Sequence, residues 1–151
     1  MVSNTKRTKE EEVLIWAGVI AQLNRTRSNQ LLVEASIPYP LFVLLRHFSH
    51  NVEREWTISA LTAAFETSQS GMTKQVQKLL SHGYIDSRPD DEDGRMKWFR
   101  LNQKGLAMLE SMSKILRRDH REIFESWEQS DIDALHHLLF RLKCHLDENR
   151  L

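Results

Sequence analysis

The sequence predicts a mainly α-helical chain with one small β hairpin, and three observations predict it. Apolar residues recur at helical spacing through most of the chain. Only five glycines and three prolines punctuate its 151 residues, which leaves little room for turn-rich β architecture. Two short β-favouring segments, Tyr84 to Arg88 and Met96 to Leu101, flank a single stretch dense in turn formers, Pro89 to Gly94.

The length fits one domain, residues 1–151, able to bury a core without disulfides or a metal. No stretch approaches the roughly 20 apolar residues of a membrane span, and the first ten residues are polar and basic rather than signal-like. A soluble, cytoplasmic protein with no membrane association is expected. Cys144 is the single cysteine, better suited to an incidental or buried thiol than to a redox sensor. With 21 basic and 21 acidic residues the net charge is zero, so any case for nucleic-acid binding rests on local charge.

Taken in order, Glu10 to Glu34 reads as a long helix whose apolar residues, Val13, Leu14, Ile15, Trp16, Val19, Ile20 and Leu23, spread beyond one stripe. Such a surplus suits a partner subunit as well as a core. Ile37-Pro38-Tyr39-Pro40 interrupts the pattern and starts a second helix near Tyr39, running to about Ser49 with Phe42, Leu45 and Phe48 inward. Thr57 or Ser59 caps a two-turn helix through Phe65. Thr67 or Ser68 caps the next, which runs to about Ser81, buries Met72, Val76, Leu79 and Leu80, and is closed by Gly83. After the hairpin, Asn102 caps a long helix with Leu106, Leu109, Met112, Leu116, Ile123 and Trp127 at near-heptad spacing. Ser130 with Asp133 resembles a capping box, opening a last helix with a leucine-rich stripe from Ile132 to Leu146.

Two short helices and then a hairpin, from about Thr57 to about Leu101, follow the order of a winged helix-turn-helix, in which the second helix lies in the major groove of DNA. Charge supports that order, since Thr67 to Ile85 holds Lys74 and Lys78 and no acidic residue. On the second helix Gln69, Gln75 and Gln77 can pair with base edges, Ser70 and Thr73 can donate to phosphate, and Lys74 and Lys78 can reach phosphate or guanine. Helical phase groups Ser70, Thr73, Lys74 and Gln77 and sends Gln75 to the flank. A solvated polar face explains the same residues, and the hairpin argues against it. There Arg95, beside Gly94, suits a narrow minor groove, while Arg88, Lys97 and Arg100 suit phosphates. Asp90, Asp91, Glu92 and Asp93 oppose this, unless Asp93 orients the wing by pairing with the Arg95 guanidinium and the other three carboxylates face solvent.

From Ile37 onward the sequence resembles the MarR family of transcriptional regulators. The likeness is carried by Ile37 to Leu44, Thr57 to Leu61, Met72 to Leu79, Gly83-Tyr84-Ile85, Arg88-Pro89-Asp90, Asp93-Gly94-Arg95 and Leu101-Asn102-Gln103-Lys104-Gly105. Asn102 departs from the threonine usual there, although both cap helices. The resemblance implies a homodimer in which helices within 10–36 and 103–151 intertwine around a two-fold axis, with 37–102 as the winged helix-turn-helix region. It also implies a double-stranded DNA partner, a pseudo-palindromic operator, usual action as a repressor, major-groove contacts by Thr73 and Lys74, and a minor-groove contact by Arg95.

Relatives often release DNA when a small aromatic or phenolic ligand fills a cleft beside the dimer helices. Trp16, Tyr39, Phe42 and His47 are the candidate pocket walls, and plain core packing is the competing reading. His47 with His50, and His136 with His137, lack further ligands at metal spacing, so neither a metal nor a cofactor is expected. A glycine-rich phosphate loop, a nucleophile motif and a helical zinc motif are all missing, which argues against an enzyme. The alternative function is a winged-helix protein-interaction module with only non-specific DNA affinity.

Overall fold

The computed structural model describes residues 7–33 and 37–150. These form α1 (Lys9–Leu31), α2 (Tyr39–Ser49), α3 (Ile58–Phe65), α4 (Gln69–Ser81), β1 (Ile85–Pro89), β2 (Lys97–Leu101), α5 (Gln103–Ile123) and α6 (Gln129–Glu148). The mainly α chain with one hairpin is the predicted fold class. Two compact units divide it, one ending at Ile115 and the other starting at Leu116. Among the described residues no helix is long and apolar enough to cross a membrane.

In the first unit, Thr8 opens α1 with a reciprocal box: its hydroxyl accepts from the Glu11 amide at 3.3 Å and its amide donates to the Glu11 carboxylate at 2.8 Å. The helix stops at Leu31, short of the expected Glu34, which lies outside the described residues. Asn29 Oδ1 accepts from the Tyr39 amide at 2.8 Å, satisfying a donor in the first turn of α2 and tying that turn to the end of α1. Pro38 and Pro40 suit the start of α2, where a missing N–H costs nothing, and Leu41, Phe42, Leu44, Leu45 and Phe48 are buried.

Thr57 caps α3 by accepting from the Ala60 amide at 3.2 Å, and Ser68 caps α4 by accepting from the Gly71 amide at 3.1 Å. Between the two helices the chain reverses through Glu66, whose φ of 48° is left-handed, a conformation more often given to Gly or Asn. Gly83, with φ of 71°, ends α4: its amide donates to Leu80 O at 2.9 Å and the Tyr84 amide to Leu79 O at 3.0 Å, the paired bonds of a Schellman end. That end delivers the chain directly into β1, which pairs antiparallel with β2 in the register Ile85 to Leu101 through Pro89 to Lys97. Phe99 makes a second, isolated bridge to Trp56, with reciprocal backbone bonds of 2.9 and 2.8 Å. Buried Met72, Val76, Leu79, Ile85, Phe99 and Leu101 extend the core under α4 and the hairpin. Asn102 starts α5 as its Oδ1 accepts from the Gly105 amide at 3.0 Å, and its side-chain Nδ2 donates to Gly83 O and Asp86 Oδ1.

In the second unit α5 ends at Ile123 and the chain turns through Phe124 to Trp127, whose rings meet edge to face at 5.3 Å. Trp127 therefore lies beyond the helix to which its spacing assigned it. The expected Ser130 and Asp133 box does not form. Glu128 occupies the N-cap position, α6 begins at Gln129, and Gln129 Nε2 donates to Asp133 Oδ1 at 2.8 Å. With Ser130 already inside the first turn, its hydroxyl is no longer placed to cap.

Two apolar surfaces stay uncovered in the single chain. On α1, Val13, Leu14, Ile15, Trp16, Val19, Ile20 and Leu23 are each 43–64% exposed, and on α6 Leu138, Leu139, Phe140 and Leu146 are 49–59% exposed. Cys144 is half-buried on α6.

Candidate nucleic-acid interface

Burial on α4 separates two faces. Met72, Val76 and Leu79 point inward, while Gln69, Ser70, Lys74, Gln77 and Lys78 are exposed and Thr73 is half-buried between them. The helix carries two lysines and no acidic side chain, so its outer face is positive in a chain of zero net charge. Thr73 Oγ1 donates to Gln69 O at 2.8 Å, which spends its proton within the helix and leaves its lone pairs as acceptors. Gln75 turns to the flank, as its phase predicts, and lines a cavity.

The hairpin tip is more ordered than a run of four acidic residues suggests. Asp90 Oδ1 accepts from the amides of Glu92 and Asp93, both at 2.9 Å, and Asp90 Oδ2 accepts from Trp98 Nε1 at 2.6 Å. The indole bond first, then the two amides, hold the Asp90 carboxyl below the usual carboxylate range. Asp90 is thus the organiser of the turn rather than a solvent-facing charge. Asp93 does not meet the Arg95 guanidinium. Its Oδ1 accepts from the Arg95 backbone amide at 3.0 Å, because two residues on in a tight turn the amide is nearer than the end of a long side chain. Arg95, Lys97 and Arg100 are exposed. Arg88 is engaged: Nε lies 2.9 and 3.0 Å from the two Glu55 carboxylate oxygens, Nη2 lies 2.5 Å from Oε2, and Asp91 is 3.8 Å away. Arg88, expected at a phosphate, is held by Glu55 in the free chain.

A cavity of about 490 Å³ opens in the same unit, between residues of α1 (Asn24, Arg25), α2 (Tyr39, Val43, Arg46), the end of α3 (Phe65), the turn after it (Thr67) and α4 (Met72, Gln75). Of the four expected walls only Tyr39 lines it. Trp16 is 58% exposed on α1, Phe42 is buried in the core with its ring 5.8 Å from that of Tyr39, and His47 packs against Trp56 and Phe65 at 4.4 and 5.0 Å. Arg25, Arg46 and Gln75 escaped the sequence reading because the lining depends on how three helices cross, which periodicity within one helix does not reveal.

His47 Nε2 and Trp56 Nε1 are buried without a hydrogen-bond partner among the described residues. Burial first, then the charges of His50 and Arg54, lower the His47 pKa from its ordinary value. A lowered folded-state value means the fold favours neutral imidazole. That contribution is intact above the unfolded pKa of about 6.5 and is lost as pH falls from there through the folded value. Thermal unfolding is therefore expected at a lower temperature at pH 5.5 than at pH 7.5. His47→Phe, which keeps a ring against Trp56 and Phe65 but does not titrate, should flatten that difference; an equal slope in parent and variant would remove His47 as its source.

Comparison with known proteins adds the family to this geometry. Residues 39–96, from the start of α2 to the tip of the hairpin, match the MarR family. Over that stretch the chain is similar to the MarR family. The chain is also similar to the HTH-type transcriptional repressor IacR of Pseudomonas putida, 24% identical over 131 residues that cover 87% of this chain and 77% of that one. Among solved structures, a MarR protein from Peptoclostridium difficile superposes with a TM-score of 0.79 at 18% identity, covering 98% of this chain and 94% of that one. A mutant MarR from E. coli complexed with operator DNA superposes with a TM-score of 0.70 at 19% identity, covering 90% of this chain and 99% of that one. At these identities the structural matches establish that this chain has the winged helical fold of MarR proteins.

Proposed function

We propose that this protein is a regulator of the MarR type, a sequence-specific, DNA-binding, cytoplasmic homodimeric repressor acting on a pseudo-palindromic operator. The observation that carries this reading is the outer face of α4, with Lys74 and Lys78 charged, Gln69, Gln77, Ser70 and Thr73 able to hydrogen-bond, and no carboxylate among them. The exposed Arg95 and Lys97 on the hairpin supply the second contact. Support also comes from the relative named a repressor and from the E. coli MarR solved with operator DNA.

Two-fold assembly is favoured by the bare apolar surfaces of α1 and α6, which water-exposed monomers rarely keep at this size. In this reading residues 10–36 and 103–151 serve dimerisation and 37–102 serve DNA reading. The cavity beside α4 suits a small aromatic or phenolic effector, with Tyr39 and Phe65 as apolar walls and Arg25 and Arg46 as charged partners. Its occupation would bear on α4 through Met72 and Gln75. No catalytic step is required of any residue. The alternative, a protein-interaction module with only non-specific DNA affinity, rests on the zero net charge and the acidic hairpin tip, and the carboxylate-free outer face of α4 weighs against it.

Selection of bound duplexes from random DNA tests the reading. Enrichment of one motif made of two inverted half-sites is expected, whereas recovery of unenriched sequence supports the interaction-module alternative.

A further inference from the structure

Arg88 stands near the outer end of β1, opposite Trp98 on β2. Each of its three nitrogens donates within the protein, although the side chain is still 45% exposed. Nε and Nη2 grip both oxygens of the Glu55 carboxylate, Nη1 donates to Pro89 O at 3.2 Å, and Asp91 lies 3.8 Å away. Glu55 comes from a different part of the chain, one residue before Trp56, whose backbone pairs with Phe99, and two before Thr57, the cap of α3. The hairpin is therefore joined to the segment entering α3 at two points, on β2 by the Trp56 and Phe99 backbone bonds and on β1 by the Glu55 and Arg88 side chains. A planar guanidinium meeting a carboxylate through two nitrogens fixes direction as well as distance, which an ammonium does not.

We propose that Glu55 and Arg88 form a positioning clamp that sets the angle of the hairpin relative to α3 and α4, and that Arg88 serves DNA binding through this placement rather than as a phosphate contact. The proposal rests on the DNA-reading function above. The charge arithmetic separates the two roles. If Arg88 held a phosphate, Glu55 would compete for it, and removing the Glu55 charge would strengthen binding. If the pair is a clamp, removing that charge weakens binding although the protein becomes more positive.

Two measurements test the clamp. In the free protein, Glu55→Gln and Arg88→Lys are each expected to speed amide hydrogen exchange across β1 and β2 by about tenfold without speeding exchange in α2. Unchanged protection of the hairpin overturns the proposal without any reference to DNA. On a selected duplex, both variants are expected to bind about five- to tenfold more weakly with the parent's salt dependence, because no phosphate contact is lost. Binding by Glu55→Gln that equals or exceeds the parent's, or an Arg88→Gln variant whose log–log salt slope falls by about 1, overturns it in favour of a phosphate contact. Failure of the parent itself to bind any duplex selectively would overturn the DNA-reading function, and with it the DNA role of the clamp, while the exchange result still decides the anchoring.

Discussion

Gly105→Ala is expected to be among the most destabilising single substitutions in the chain. A Cβ built on Gly105 would sit 2.1 Å from the Tyr84 carbonyl oxygen and 2.6 Å from Leu101 Cδ1, and the nearer obstacle is backbone. Tyr84 has no easy retreat. Its amide is bonded to Leu79 O in the end of α4, its carbonyl accepts from the Asn102 amide at 3.3 Å, and its side chain is buried. Relief requires moving the first turn of α5 away from β1, which breaks the Asn102 cap and opens the core beside Leu101. Overpacking of this kind costs about 1–3 kcal/mol and more where backbone must shift, so a loss of about 3 kcal/mol is expected, with a fall in melting temperature on the order of 10 °C. Gly94→Ala, where a Cβ meets nothing within 4 Å, is the matched comparison and should change stability by less than about 0.5 kcal/mol. A Gly105→Ala protein melting within a degree or two of the parent would contradict the described contact.

The second large effect concerns binding. Lys74→Ala and Arg95→Ala are each expected to weaken binding to the selected duplex by about 10- to 100-fold, the range of a lost base-edge or phosphate contact of about 1–3 kcal/mol. Both side chains are exposed, so folding stability should change little and the loss is assignable to the interface. The two variants should differ in kind. Arg95→Ala should cost most on duplexes with an A/T-rich stretch under the hairpin, where a narrow minor groove focuses negative potential. If Lys74 holds a phosphate, its loss weakens all sequences alike and lowers the salt slope by about 1; if it reads guanine, specificity relaxes at one position. Parent-like binding by both variants would move the interface away from α4 and the hairpin.

How much of this was legible in the sequence follows from where the signals lie. Between Pro38 and Gly105 the chain is punctuated by residues with a local mechanism: proline at the start of α2, Thr57 and Ser68 as caps, Gly83 at a positive φ, and Asn102 before α5. Each acts within four or five residues, so sequence order suffices to place it. Glu66 gave no such sign, since its left-handed turn is imposed by the approach of α3 to α4 rather than by its own preference. Near Ser130 two overlapping polar patterns compete, and the start of a helix is decided by a shift of one or two residues. The hairpin tip misled in a different way. Counting its charges gives repulsion, but not the partners that hold them in place, Trp98 for Asp90 and Glu55 for Arg88, which are 8 and 33 residues away in sequence. The outer face of α4 was legible because helical phase alone sorts it, whereas the cavity lining and the Glu55 to Arg88 pair depend on tertiary approach.

The measurement that tests the central claim most directly is binding of the parent protein to the enriched duplex and to a scrambled duplex of the same composition, followed by fluorescence anisotropy at two salt concentrations. The account predicts nanomolar binding to the enriched duplex, at least about 1,000-fold weaker binding to the scrambled one, and loss of affinity for both as salt rises. Equal affinity for the two duplexes would contradict it.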